Sequence, residues 1–212
     1  PRSNSVATIG CAITINATSG TATVGGFDTT DGGGAGAVTI NSGTAGSFGT
    51  VTTGGALFTL NVGSGTMTQI AGKLITGSTI LRKAGVGTLL LSEINTYTGS
   101  TTVVNGNLRI TQDANLGTAP GVATAGHLTL NPTGGSQNLR IDSSFTLNQN
   151  RGIEMANTGS IAVMPGQTLI YDGVIAGTGD LFVNSSGTLQ LGGNNTYSGL
   201  TFVNGGGVLR IS

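Results

Sequence analysis

Apolar and polar residues alternate along most of this chain with a period of two. Ala12-Ile13-Thr14-Ile15, Ala37-Val38-Thr39-Ile40, Leu57-Phe58-Thr59-Leu60 and Leu128-Thr129-Leu130 show the pattern. Leu139-Arg140-Ile141, Phe145-Thr146-Leu147, Ile161-Ala162-Val163, Leu189-Gln190-Leu191 and Leu209-Arg210-Ile211 repeat it. Successive side chains on a strand point to opposite faces, so each run predicts a half-buried strand. β-Branched residues fill the runs, and Gly, Asn, Asp and Ser bound them. No dozen-residue window carries an i, i+3, i+4, i+7 apolar stripe free of glycine, so no helix is expected. The strands are short, about three to five residues, and recur about every 8–12 residues. That spacing fits either a sandwich or barrel, or a solenoid.

An internal repeat decides for the solenoid. Residues 75–106 align with 175–206 without a gap. The matches include Gly77/Gly177, Leu81/Leu181, Gly87-Thr88-Leu89/Gly187-Thr188-Leu189 and Leu91/Leu191. They continue through Asn95-Thr96-Tyr97/Asn195-Thr196-Tyr197, Gly99/Gly199 and Val103/Val203, and then Leu108-Arg109-Ile110/Leu209-Arg210-Ile211. Coils of a solenoid each meet a similar neighbour, whereas a closed sandwich has no use for such self-similarity. The fold class expected is all-β: a right-handed parallel β-helix, one domain over residues 1–212, with about nine coils of about 20–25 residues. Leu89, Leu189, Leu91 and Leu191 are expected inside. Glycines are expected to supply the φ > 0 positions of sharp corners, and Gly87, Gly99, Gly187 and Gly199 are matched residues of the structural repeat. Thr88 and Thr188 would lie outward, Asn95 and Asn195 would cap or ladder at corners, and Tyr97 and Tyr197 would serve the corners structurally, with ligand-stacking platforms as the alternative.

The repeated segment also carries a resemblance. Leu81-Arg82-Lys83, Gly85-Val86-Gly87-Thr88-Leu89-Leu90-Leu91, Asn95-Thr96-Tyr97-Thr98-Gly99, Thr101-Thr102-Val103 and Gly106-Asn107-Leu108-Arg109-Ile110 resemble the passenger-associated transport repeat of bacterial autotransporters. In the second copy Ser198 stands for Thr98, and Val183-Asn184 for Lys83-Ala84. The resemblance covers about a third of the chain. Residues 111–174 are similar in style, and 1–70 only in composition. It implies a parallel β-helix exported across a Gram-negative envelope, extracellular or at the cell surface. The implied role is a stalk, spacer, fibre subunit or adhesive surface, without catalysis. Nothing in the chain resembles the family's membrane β-barrel.

Composition sharpens this picture. The 212 residues include 39 Gly and only 8% charged residues, with a net charge of zero and 37% apolar residues. High apolar content and zero net charge separate the chain from disordered, highly charged linkers. Lys and Arg are scattered singly apart from Arg82-Lys83, so no nucleic-acid partner is expected. No apolar run approaches the ~20 residues of a membrane helix, so no membrane insertion by this segment is expected. The chain begins at Pro1, which reads as a processed product or a fragment.

Candidate chemistry is sparse. The acidic residues Asp28, Asp31, Glu93, Asp113, Asp142, Glu154, Asp172 and Asp180 mostly stand alone in sequence, so paired carboxylates for catalysis are not expected. No cofactor and no metal is expected. Asp28-Thr29-Thr30-Asp31-Gly32-Gly33-Gly34 reads as a solvated loop, with a calcium turn as the sharper alternative. Cys11 reads as a buried strand residue, with a free or intermolecular thiol as its alternative. His127, the sole histidine, reads as an exposed strand end. Three further function classes stay open. One is a carbohydrate- or host-surface-binding module, another a polysaccharide-degrading β-helix enzyme, and a third an ice-binding face built on Thr21/Thr23, Thr50/Thr52 and Thr66/Thr68. Ser212 directly follows Val208-Leu209-Arg210-Ile211, which suggests continuation in a longer parent or end-to-end self-association.

Overall fold

The computed structural model describes residues 13–17, 21–28, 37–131, 139–184 and 186–212. Cys11 and Asp31 lie outside the described residues, and Asp28 is described only as the backbone end of a strand. Twenty-two strands and one short 3-10 turn, Asp113–Leu116, make up the secondary structure of the described residues. Every strand pairing is parallel, in one eight-stranded, one ten-stranded and one four-stranded sheet. These sheets are three faces of one right-handed β-helix of about eight turns, against about nine expected.

The chain visits the faces in fixed order. Leu57–Val62 lies on the first face and Thr66–Gln69 on the second; Ile75–Gly77 pairs with the end of the long strand Ala45–Thr53 in the same ten-stranded sheet, and Ile80–Ala84 returns to the first. Some passes across the third face are not strands. There Thr96 and Tyr97 donate backbone N–H groups to the Ile75 carbonyl, and Thr118 donates to that of Tyr97.

The alternating pattern explains the core. Ile40, Leu60, Val103, Leu130 and Met155 line one inward row of the first face. Met67, Leu89, Leu108, Leu139, Ile161 and Val183 line one of the second. Leu169 and Leu189 lie in one of the third, between Phe145 and Leu209, and all of these inward Ile, Leu, Val and Met residues but Leu209 are buried. Each contributes roughly 1.5–3 kcal/mol of apolar burial, offset by conformational entropy.

The two repeat copies do not stack on each other. Each is paired with itself. In the first copy Leu81 lies beside Thr101 and Lys83 beside Val103 on the first face, and Leu89 lies beside Leu108 on the second. In the second copy the equivalent pairs are Leu181–Thr201 and Val183–Val203 on the second face, and Leu189–Leu209 on the third. Leu81 and Leu181 are 100 residues apart in sequence. That separation spans four turns plus one further face, so the second copy is the first rotated by one face about the axis. A repeat of about one and a half turns folds back over its own first half, which is why it need not meet its other copy.

Glycines at matched positions serve two needs. Gly77 and Gly177 have φ of 71° and 111°, the left-handed corner expected from sequence. Gly87, Gly99, Gly187 and Gly199 have no positive φ. Their reason is close approach. A Cβ on Gly99 would strike the Thr79 carbonyl of the preceding coil, and one on Gly199 the Gly179 carbonyl. On Gly87 it would meet the Val62 side chain, and on Gly187 the Val163 and Met164 carbonyls.

Leu89→Asp and Leu189→Asp each place a carboxylate in an inward row. Each is expected to lower unfolding free energy by several kcal/mol, on the order of 3 or more. Chemical denaturation measures this, and an unchanged midpoint for either variant contradicts the inward assignment.

Candidate functional site

The polar positions of the repeat converge on its corners. Asn95 accepts at Oδ1 from the Ile75 N–H at 2.8 Å and from Gln69 Nε2 at 2.6 Å. Its Nδ2 donates to the Asn115 carbonyl at 2.8 Å. Asn195 repeats the central bond, accepting from the Ile175 N–H at 2.8 Å across the same interval of 20 residues. Tyr97 Oη lies 2.7 Å from Thr101 Oγ1, and Tyr197 Oη 2.6 Å from Thr201 Oγ1. Tyr97 is fully buried, and burial pushes its phenol up to about 12. Such a ring offers no stacking platform to a ligand. Thr88 and Thr188 are half-buried outward neighbours of these rows, and Leu91 and Leu191 are buried.

Two buried cations were not legible as such. Lys83 occupies an inward position, between Leu60 and Val103 in register, with no exposed surface. Its three ammonium protons have three carbonyl acceptors: Ala84 at 2.7 Å, Gly85 at 2.8 Å and Asn105 at 3.1 Å. Desolvation lowers its pKa from 10.5 to about 8. Val183 holds the same place in the second copy, where the row is apolar throughout. Parity was the available signal, since Lys83 alternates with the inward Leu81.

Arg151 is the second. Its side chain is wholly buried and reaches back 38 residues to Asp113, with Nε to Oδ1 at 2.8 Å and Nη2 to Oδ2 at 3.1 Å. Nη1 donates to the Leu116 carbonyl at 2.8 Å and Nη2 to that of Gly117 at 2.5 Å. This clasp pins the 3-10 turn against the first face. Asp113 Oδ1 also accepts from the Asn148 N–H at 3.0 Å. Parity again marks Arg151, which alternates with inward Ile153 and Met155.

His127 corrects the reading of an exposed strand end: only 6% of it is exposed. Burial foremost, and then the Arg151 charge, lower its pKa below 6.5. Nor do the acids stand alone in space. Asp113 is paired as above, and Asp142 bridges Arg109 and Arg140. Among the described residues, no three His, Cys, Asp or Glu side chains gather as a metal site.

Both buried bases give pH tests. Unfolding takes up a proton at Lys83 between about pH 8 and 10.5, so its contribution rises with pH across that window. Tyr97 and Tyr171, both pushed up to about 12, oppose this only above pH 10. Stability is therefore expected to rise by roughly 2 kcal/mol between pH 8 and 10 in the parent chain and to stay flat in Lys83→Met. His127, with a depressed pKa, contributes stability that is present above pH 6.5 and lost as pH falls below it. His127→Phe is expected to show a shallower loss of melting temperature on acidification. Parallel slopes for variant and parent contradict either assignment.

Residues 81–110 and 181–211 match the passenger-associated-transport-repeat family. Over 103 residues the chain is 37% identical to the Adhesin BmaC autotransporter of Brucella suis biovar 1 (strain 1330). That alignment covers 49% of this chain and 3% of the relative, so the chain spans a small part of that protein's length. No solved structure matches the chain. The two family matches fall on the two self-paired units, each ending in its second-half strand, Asn107–Ile110 or Val208–Ile211. The chain carries two copies of the passenger-associated transport repeat, built into one parallel β-helix.

Proposed function

We propose that this chain is a shaft segment of a surface-displayed, adhesive autotransporter passenger on a Gram-negative cell. One observation carries the reading: among the described residues the two family repeats, and the coils that separate them, belong to the same parallel ladders. Such a ladder advances about 4.8 Å per turn, and eight turns make a rod of about 40 Å. It resists bending because neighbouring coils share backbone hydrogen bonds along all three faces. The relative's name adds adhesion and surface display. Among the described residues no helix is long and apolar enough to cross a membrane. The engagement of Asp113 and Asp142 by arginines favours structure over carboxylate catalysis.

Display is tested on intact cells making the parent protein. An antibody raised to residues 37–212 is expected to label the cells without permeabilisation, and external protease to abolish the label. Labelling only after permeabilisation contradicts the proposal.

A further inference from the structure

Arg109 and Arg140 are 31 residues apart in sequence, yet the register sets them side by side on the outer surface of the second face. Adjacent parallel strands lie about 4.8 Å apart, and like charges directly opposite destabilise a sheet. One carboxylate answers both. Asp142 takes Arg140 Nε at Oδ1, at 2.8 Å, and Arg109 Nε at Oδ2. The cluster therefore keeps one net positive charge. Asp142 holds both arginines by the same nitrogen, Nε. The Nη groups of both make no hydrogen bond or ion pair among the described residues. The two side chains are 37% and 36% exposed, while Asp142 is 12% exposed beneath them. Leu90 flanks Arg109 in the outward row.

From this juxtaposition we propose an acidic-polysaccharide site on the second face, in which Arg109 and Arg140 present two guanidinium edges to carboxylate or sulfate groups of the glycan. A guanidinium fork matches either oxyanion with two parallel hydrogen bonds, which a point charge does not. Asp142 is the positioning residue, since it fixes both heads before a ligand arrives and so lowers the ordering cost of binding. A flat face suits an extended polymer. The single net charge separates the patch from nucleic-acid surfaces, which neutralise many phosphates at once. The proposal goes beyond the shaft reading and does not depend on surface display.

The test uses the whole chain and four probes: heparin for sulfate, polygalacturonate for carboxylate, neutral dextran, and duplex DNA. Binding is measured by calorimetry or interferometry at two salt concentrations. Heparin, polygalacturonate or both are expected to bind, with affinity falling as salt rises. The tighter of the two identifies the preferred oxyanion. Arg109→Gln and Arg140→Gln are each expected to weaken binding about ten-fold or more. Arg82→Gln, on the first face, should leave it unchanged. The paired change Arg109→Lys with Arg140→Lys keeps the charge without the fork and is expected to weaken binding several-fold. Melting curves of every variant establish that the fold survives. No binding to either acidic glycan, equal binding to DNA or dextran, an equal loss in Arg82→Gln, or full binding by the paired lysine variant overturns the proposal.

Discussion

The structure depends on the parallel backbone ladder between successive coils. A strand of about four residues satisfies almost none of its own backbone groups, so its N–H and C=O groups must be met by the coil above and the coil below. That demand fixes the register, and the register decides which residues meet. Leu lies beside Leu in Leu89–Leu108 and Leu189–Leu209, and Asn beside Asn in Asn41–Asn61. Asn61 Nδ2 donates to Asn41 Oδ1 at 2.9 Å, and Asn41 Nδ2 to Asn16 Oδ1 at 2.6 Å. Where the ladder admits a buried charge, the charge is saturated. Lys83 has three carbonyls, and Arg151 has a carboxylate and three carbonyls. Such groups add little net stability but make one arrangement much better than its neighbours, since a slip would leave them unpaired.

The same ladder explains how a sequence repeat can exist without stacked copies. Each passenger-associated repeat pairs its second half with its first, reproducing Ile75–Asn95 as Ile175–Asn195 on a different face. The unit is indifferent to which face it starts on, because all three faces offer the same parallel edge. A shaft can therefore carry repeats at irregular intervals, with looser coils such as residues 111–174 between them. The side chains outside are free to differ from coil to coil, and on the second face this brings Arg109 beside Arg140.

Much of this was legible in the sequence. Period-two alternation identified the strands, and the gapless match of 75–106 with 175–206 identified the solenoid. Three things were not legible, each for a physical reason. The rotation between copies depends on the number of faces crossed in 100 residues, and loops of unequal length hide that count. Gly99 and Gly199 are dictated by a carbonyl of the preceding coil, a neighbour that sequence does not name. Contacts such as Arg151–Asp113 and Arg109–Asp142 join residues 38 and 33 positions apart, so acids that stand alone along the chain acquire partners in space. His127 was misjudged for the same reason.

Axial advance is what the account claims, and dipolar electron resonance measures it directly. Thr39, Thr102, Thr129, Glu154 and Ala176 occupy one outward row of the first face in register order. With one spin label at position 39 and the other moved along that row, the separation is expected to grow in equal steps of about 4.8 Å per coil. The unequal sequence gaps between those positions should leave no trace in the distances. Separations that fail to rise in register order, or that fall back as the label moves on, would contradict it.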